Sequence, residues 1–142
     1  MEVRDGMSDV VLTIGPAHTL REAARLMTER GVGAAIVLDE AAPMPSIITE
    51  RDILRSVGRG EDPDRERVAD HMSDSVIAAA PSWSLERAAM EMSRRHIRHL
   101  VVVDGGELVG VLSMRDIVRC WTSEGATTSG LTPPEAEAAA TQ

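Results

Sequence analysis

Met7-Ser8-Asp9 recurs 65 residues later as Met72-Ser73-Asp74, and the register between the two stretches continues along the chain. After a shift of one residue in a loop, residues 49–53 align with residues 113–117. Apolar, small and charged positions rarely coincide for so long by chance, so the chain is predicted to contain two copies of one unit. Identical pairs at this spacing include Pro16 and Pro81, Leu20 and Leu85, Met27 and Met92, and Asp39 and Asp104.

The repeat divides the chain into four segments. We place the first repeat at residues 7–57 and the second at residues 68–122. Residues 58–67 are polar and turn-forming, as expected of a linker. Residues 123–142 are rich in Ala, Thr, Glu, Gly and Pro without periodicity, so we expect a disordered tail.

Each repeat shows the pattern of strand, helix, strand, strand and helix. Thr19-Leu20-Arg21-Glu22 is a capping box that predicts a helix start, and Gly31 predicts its end. A unit of about 55 residues buries too little surface to be stable alone. We therefore expect an α+β fold in which two βαββα repeats pack around a pseudo-twofold axis and leave two clefts. The strands are predicted at residues 10–14, 35–38, 76–80, 100–103 and 107–112, and the helices at residues 20–30, 50–57, 85–95 and 114–121.

Composition excludes several function classes. The 142 residues carry a net charge of −8 and no Tyr or Phe, which argues against a nucleic-acid partner. All 15 basic residues are Arg, so P-loop and Schiff-base lysines are excluded. Cys120 is the only cysteine, and it is predicted to be a core or interface residue. No apolar run approaches the length of a membrane span, so we expect a soluble, cytoplasmic protein without a membrane partner.

The stretch Gly110-Val111-Leu112-Ser113-Met114-Arg115-Asp116 is the most informative for function. Gly110 allows another group to approach the backbone closely. Ser113 precedes a helix whose N-terminal N–H groups favour an anion, and Asp116 is suited to accept hydrogen bonds from a ribose diol. The alternative is structural: Ser-x-x-Asp is also a capping box that needs no ligand. Thr49 and Asp52 repeat this pattern, and a duplicated cap is still a cap.

The tandem pattern resembles a pair of CBS domains, the βαββα repeats that form sensors of adenosine ligands. The resemblance covers residues 7–122. It includes the entries Ile14-Gly15-Pro16 and Ala79-Ala80-Pro81, the strand from Arg98 to Asp104, and the Gly-x-x-Ser-x-x-Asp element that is complete in the second repeat. It implies a ligand-binding regulatory module that is not an enzyme, forms a homodimer and signals to an unidentified regulated protein. AMP, ADP, ATP and S-adenosylmethionine are the ligands implied, and no cofactor is obligatory.

The resemblance also implies roles for individual residues. Asp52 and Asp116 match ribose-binding positions, and Thr49 and Ser113 match ribose or phosphate contacts. The first repeat departs from the family at Gly33-Ala34 and at Ser46, so its site is expected to be the weaker one. Arg98 and His99 match phosphate-facing positions. Gly110 and Arg115 belong to the Gly-x-x-Ser-x-x-Asp element. The purine-lining positions are Val11, Ile14, Ile77 and Ala78.

Two other functions stay open at this point. One is a ligand-free dimeric scaffold that keeps the fold for interaction alone. The other is a metal-binding stress protein that uses His71, His96 and His99, although His96 is predicted to end a helix and His99 to begin a strand. A Ser113, His99 and Asp104 set lacks the surroundings of a nucleophile elbow, so catalysis is not expected.

Overall fold

A computed structural model describes residues 1–124 of the chain. They form five α-helices, one short 3-10 helix at Val68–Asp70 and two three-stranded sheets. The predicted α+β class and the order of elements in each repeat are confirmed. The predicted tail lies outside the described residues except for Ser123 and Glu124, which end the last helix. Within residues 1–124, every helix is too short or too polar to cross a lipid bilayer.

The chain packs as two units, and each is named here after its sheet. The sheet-1 unit comprises Val10–Ile77, and the sheet-2 unit comprises Met1–Asp9 together with the chain from Ala78 onward. The repeats and the packed units therefore do not coincide, because residues 7–9 precede the first repeat's strands but belong to the sheet-2 unit.

Sheet 1 has the strand order β1-β2-β3, with β1 parallel and β3 antiparallel to the central β2. Helix α2 begins at the predicted capping box, where the Glu22 N–H donates to Thr19 Oγ1 at 3.2 Å, and it ends at Gly31 in the left-handed conformation. The elements of this unit are β1 at Thr13–Ile14, α2 at Leu20–Arg30, β2 at Ala34–Val37, β3 at Ser46–Thr49 and α3 at Glu50–Gly58.

Sheet 2 repeats this order as β4-β5-β6, with the same pattern of parallel and antiparallel pairing. The short helix α1 at Val3–Gly6 also belongs to this unit. Asp104-Gly105-Gly106 joins β5 to β6 as predicted, with both glycines at positive φ. The remaining elements are β4 at Ala78–Ala79, α4 at Leu85–Arg95, β5 at His99–Asp104, β6 at Glu107–Ser113 and α5 at Met114–Ser123.

The two cores are built from matching positions. Leu20, Ala23 and Met27 are the buried residues of α2, and the corresponding positions of α4 are buried as well. These apolar residues follow helical spacing, so one face of each helix covers one face of its sheet. The buried residues at matching positions are Leu20 and Leu85, Ala23 and Ala88, Met27 and Met92, Ala35 and Leu100, Val37 and Val102, and Ile48 and Leu112.

The first strand of each repeat is shorter than predicted. Residues 10–14 were expected to form a strand, but only Thr13–Ile14 pairs with β2. The second repeat shows the same difference, since β4 covers only two of the five residues at 76–80. In the first repeat, the Ile36 N–H donates to the Leu12 carbonyl oxygen and the Leu38 N–H donates to the Ile14 carbonyl oxygen, and the paired part of the strand lies between these two bonds. Val10 lies beyond them and is exposed.

The helix C-termini give a first test of this architecture. Gly31 and His96 end α2 and α4 in the left-handed region, with φ of 65° and 57°. A side chain in this conformation costs about 1–2 kcal/mol relative to glycine. We expect His96→Gly to raise the free energy of unfolding by up to about 1 kcal/mol and Gly31→Ala to lower it by about as much. Urea unfolding of both variants measures this, and equal stability of His96→Gly and the wild type contradicts the assigned conformation.

Candidate functional site

Most of the sequence-predicted site residues of the second repeat meet at one corner of the sheet-2 unit. His99 at the start of β5 pairs directly with Ser113 at the end of β6. The Met114 N–H donates to the Arg98 carbonyl oxygen at 2.8 Å, which holds the start of α5 beside β5. Arg115 and Asp116 follow within the first turn of α5. We call the residues Arg98, His99, Ser113, Arg115 and Asp116 the second-repeat corner.

Asp116 forms the capping box that sequence analysis offered as the structural alternative. The Ser113 N–H donates to Asp116 Oδ2 at 2.9 Å, and the Asp116 N–H donates to Ser113 Oγ at 3.0 Å. These bonds satisfy N–H groups that have no partner within the helix. The capping role is therefore confirmed. It fixes the Asp116 carboxylate at the start of α5, whether or not a ligand also uses it.

The second carboxylate oxygen of Asp116 faces an arginine. Arg119 Nη2 donates to Asp116 Oδ1 at 3.2 Å and to the Gly6 carbonyl oxygen at 3.2 Å. The Arg119 side chain is largely exposed, so this ion pair is worth at most about 1 kcal/mol. Arg119 thus connects the Asp116 carboxylate to helix α1, a contact that sequence analysis did not anticipate.

The first repeat forms a corner at the equivalent position, which we call the first-repeat corner, and its charged residues differ from those of the second-repeat corner. Ala34 pairs with Thr49, and the Thr49 N–H donates to Asp52 Oδ2 at 2.8 Å. Gly33 takes the position of Arg98, and a Cβ there would lie 3.0 Å from Glu50 Oε1. The second repeat has an arginine and a methionine where the first has Gly33 and the acidic Glu50. The first-repeat corner keeps Arg51 at the position of Arg115, and its weaker binding of a phosphate stays a prediction.

Gly110 is approached closely, but by the chain itself. A Cβ at this position would lie 2.7 Å from the Ser8 carbonyl oxygen and 2.9 Å from the Met7 sulfur. Ser8 forms an antiparallel bridge with Val111, with hydrogen bonds of 2.9 and 3.0 Å in the two directions. The predicted close approach exists within the sheet-2 unit, and the group that makes it is the N-terminal segment. Gly110 is buried beneath that segment.

The purine-lining candidates lie in different surroundings. Ile14 belongs to the core of the sheet-1 unit, where its side chain is 5% exposed. Its assignment as a purine-lining residue stays a prediction. Val11 and Ile77 are half-buried next to the short first strands, and Ala78 is an exposed residue of β4.

The histidines are divided between the units. His71 belongs to the sheet-1 unit, whereas His96 and His99 belong to the sheet-2 unit. His71 instead lies beside Glu61 and Glu66 within its own unit. Sequence analysis missed both glutamates, because they lie in the linker and follow no helical or strand periodicity.

Comparison with known proteins agrees with the repeats and with the fold. The model of the CBS domain family matches residues 2–59 and 68–122. The chain belongs to the CBS domain family. The CBS domain-containing protein YhcV of Bacillus subtilis is 36% identical over 116 residues, which is 81% of either chain. Several other curated relatives are longer, an arabinose 5-phosphate isomerase of Yersinia pestis among them, and the chain spans 32% to 57% of their length.

Solved structures of CBS proteins match the same region. The CBS domain protein PAE2072 from Pyrobaculum aerophilum, complexed with AMP, is 33% identical with a TM-score of 0.75. That alignment covers 89% of this chain and 99% of the other. The CBS domain pair of protein MJ0100, in complex with 5-methylthioadenosine and S-adenosyl-L-methionine, has a TM-score of 0.77 at 24% identity and covers 87% of this chain and 98% of the other. The second likeness bears on the fold alone.

The close approach of Ser8 to Gly110 predicts a specific cost for a larger residue. We expect Gly110→Ala to lower the free energy of unfolding by about 1–3 kcal/mol, because its methyl group would displace backbone rather than a flexible side chain. Gly58→Ala is the matched control, since a Cβ at position 58 meets nothing within 4 Å. Urea unfolding compares the two variants. Equal stability of both, with unchanged hydrogen-exchange protection of the Val111 amide, contradicts the pairing of Ser8 with β6.

Proposed function

We propose that this CBS protein is a regulatory module whose second-repeat corner binds an adenosine phosphate and signals occupancy to a partner protein. The observation that carries the proposal is that backbone pairing brings Arg98, His99 and Ser113 to the start of α5, whose first turn carries Arg115 and the Asp116 carboxylate. The likeness to PAE2072, whose structure contains AMP, supports the ligand class. We place the module in the cytoplasm, because adenosine phosphates are intracellular metabolites.

Each group at the second-repeat corner has a distinct task in this proposal. Arg98 and Arg115 neutralise the phosphate, and the first N–H groups of α5 add a positive partial charge. His99 lies on the adjacent strand and donates a further hydrogen bond. Asp116 accepts from the ribose hydroxyls. Two guanidinium groups favour AMP, ADP or ATP over S-adenosylmethionine, which carries a positive sulfonium.

A signal to the N-terminal segment follows from the contacts of Asp116. Arg119 binds the Asp116 carboxylate and the Gly6 carbonyl oxygen with the same Nη2 atom. A ribose whose hydroxyls donate hydrogen bonds to Asp116 competes with Arg119 for this carboxylate and alters the contact between α5 and α1. Ligand binding then changes the conformational equilibrium of residues 1–9, provided the ligand has different affinities for the two states.

The ligand proposal is tested by thermal shift with AMP on matched variants. AMP at about 100 times its Kd is expected to stabilise the wild type by about 2.7 kcal/mol. Asp116→Asn is expected to weaken AMP binding about tenfold or more, because a charge-assisted bond to a diol is worth about 1.5–3 kcal/mol. Asp52→Asn is the matched control, since Asp52 caps α3 as Asp116 caps α5. It is expected to retain most of the shift.

The melting temperatures without AMP separate the capping role from ligand binding. Both variants weaken a helix cap, so a similar loss without ligand is expected in each. The proposal is wrong if Asp52→Asn abolishes the AMP shift while Asp116→Asn retains it. Wild-type protein that shows no shift with AMP, ADP, ATP or S-adenosylmethionine favours the alternative of a ligand-free scaffold.

A homodimer completes the proposal, and the exposed apolar side chains of each unit indicate which of its helices take part in the interface. In the sequence, the Ala and Met residues of the predicted helices at residues 20–30 and 85–95 favour an interface on these two helices, which are α2 and α4. Among residues 1–124, the large exposed apolar side chains on helices lie on α3, α4 and α5, and α2 contributes none. Apolar helix faces of this kind favour an interface between copies. These side chains are Leu54, Val57, Met90 and Val118.

Light scattering tests the dimer with two matched methionine variants. We expect wild-type protein at micromolar concentration to show twice the monomer mass of 15.3 kDa. Met90 on α4 and Met44 in the loop after β2 are 71% and 70% exposed. Met90→Glu is expected to shift the mass toward the monomer, because it places a charge in an apolar interface, whereas Met44→Glu leaves the mass unchanged. Monomeric wild type, or equal loss in both variants, contradicts this surface.

A further inference from the structure

Three metal-ligating side chains converge in the sheet-1 unit, and none of them belongs to the first-repeat corner. Glu61, Glu66 and His71 each place one donor atom within 4.8 Å of the other two. His71 Nε2 lies 2.8 Å from Glu66 Oε1. The residues follow one another at intervals of five, but they lie in a loop, a turn and the end of the 3-10 helix, so no single element imposes the convergence.

Burial distinguishes this cluster from ordinary surface acids. The His71 side chain is 7% exposed, and both carboxylates are partly buried beside it. Ser56 is a buried residue whose Oγ donates to Glu61 Oε1 at 2.8 Å. This hydrogen bond orients the Glu61 carboxylate within the cluster.

Backbone hydrogen bonds hold all three residues in place. The Glu61 N–H donates to the Ser56 carbonyl oxygen, and the His71 N–H donates to the Val68 carbonyl oxygen. Glu66 is held on both sides, because its N–H donates to Asp62 and its carbonyl oxygen accepts from the Leu20 N–H. The backbone that carries the three ligands is thus held in place, which reduces the entropy lost when they bind an ion.

We propose that Glu61, Glu66 and His71 bind one divalent metal ion of the zinc class. One imidazole nitrogen and two carboxylate oxygens are a ligand set that Zn²⁺ accepts, with water completing the coordination. Two carboxylates and a neutral imidazole balance the charge of the ion, and the net charge of −8 on the chain favours its approach. The Ser56 hydroxyl orients the Glu61 carboxylate from the second coordination shell.

Such an ion would join three parts of the sheet-1 unit. Glu61 follows α3, Glu66 lies in the turn before the 3-10 helix, and His71 immediately precedes Met72-Ser73. Ser73 forms an antiparallel bridge with Ile47 of β3, with hydrogen bonds of 2.8 and 2.9 Å. Metal binding is therefore expected to stabilise the linker and the segment that pairs with the edge of sheet 1.

Arg59 is the group that competes with the ion. Its Nε lies 3.4 Å from Glu61 Oε1, and its side chain is largely exposed. The guanidinium can turn into solvent without losing buried contacts, and removing it leaves the three ligands intact. Arg59→Gln is therefore expected to increase the affinity for the metal ion. If the cluster is only a network of ion pairs, Arg59→Gln is expected to bind the metal ion no more tightly than the wild type.

Isothermal titration of ZnCl₂ into metal-free full-length chain without a polyhistidine tag tests the site. One Zn²⁺ per chain is expected, together with a rise in melting temperature. Glu61→Gln, Glu66→Gln and His71→Gln are each expected to weaken binding at least about tenfold. The two glutamate variants preserve side-chain shape at partly exposed positions, so they keep the test decisive if the His71 variant fails to fold.

Control variants locate the bound ion. His96→Gln and Cys120→Ser replace metal-ligating side chains in the sheet-2 unit and are expected to leave Zn²⁺ affinity unchanged. The proposal is overturned if the wild type binds no stoichiometric Zn²⁺. It is also overturned if the Glu61 and Glu66 variants bind as tightly as the wild type, or if binding is lost in the His96 or Cys120 variant.

Discussion

Each three-stranded sheet of this CBS protein ends in a strand whose outer edge is covered by a single backbone bridge from a Met-Ser segment. Ser73 bridges Ile47 on β3, and Ser8 bridges Val111 on β6. An uncovered edge would expose unpaired N–H and C=O groups. The first residues of the second repeat cover sheet 1, and the first residues of the first repeat cover sheet 2. This pairing determines which segments of the chain belong to each unit, and it requires a glycine at position 110.

The capping boxes at the last helix of each repeat link stability to the candidate function. Asp52 and Asp116 satisfy N–H groups at the starts of α3 and α5, so each carboxylate is held at a strand-to-helix junction by local hydrogen bonds. The corners then differ in charge. Gly33 faces the carboxylate of Glu50 in one, whereas Arg98 accompanies Arg115 in the other. The repeats thus keep a common core while their two corners differ in charge.

Sequence reasoning was most successful where the signal is local. The capping box at Thr19, the end of α2 at Gly31 and the Asp104-Gly105-Gly106 turn are all found as predicted, because each depends on residues close in the chain. The first strands were predicted too long, since only two residues of each are paired. Helix α1 was missed entirely, because four residues show no periodicity and Val3 is buried only by packing in the sheet-2 unit.

The sequence by itself determined the two repeats, the α+β class, the capping boxes and the family resemblance, because matching apolar positions and short-range hydrogen bonds are visible in one dimension. Only the tertiary structure decided that Ser8 approaches Gly110, that Ile14 is part of the core, and that His71 lies beside Glu61 and Glu66 rather than the other histidines. These outcomes depend on backbone pairing and packing between segments distant in the chain or on loop geometry without periodicity. Neither leaves a regular pattern in the order of the residues.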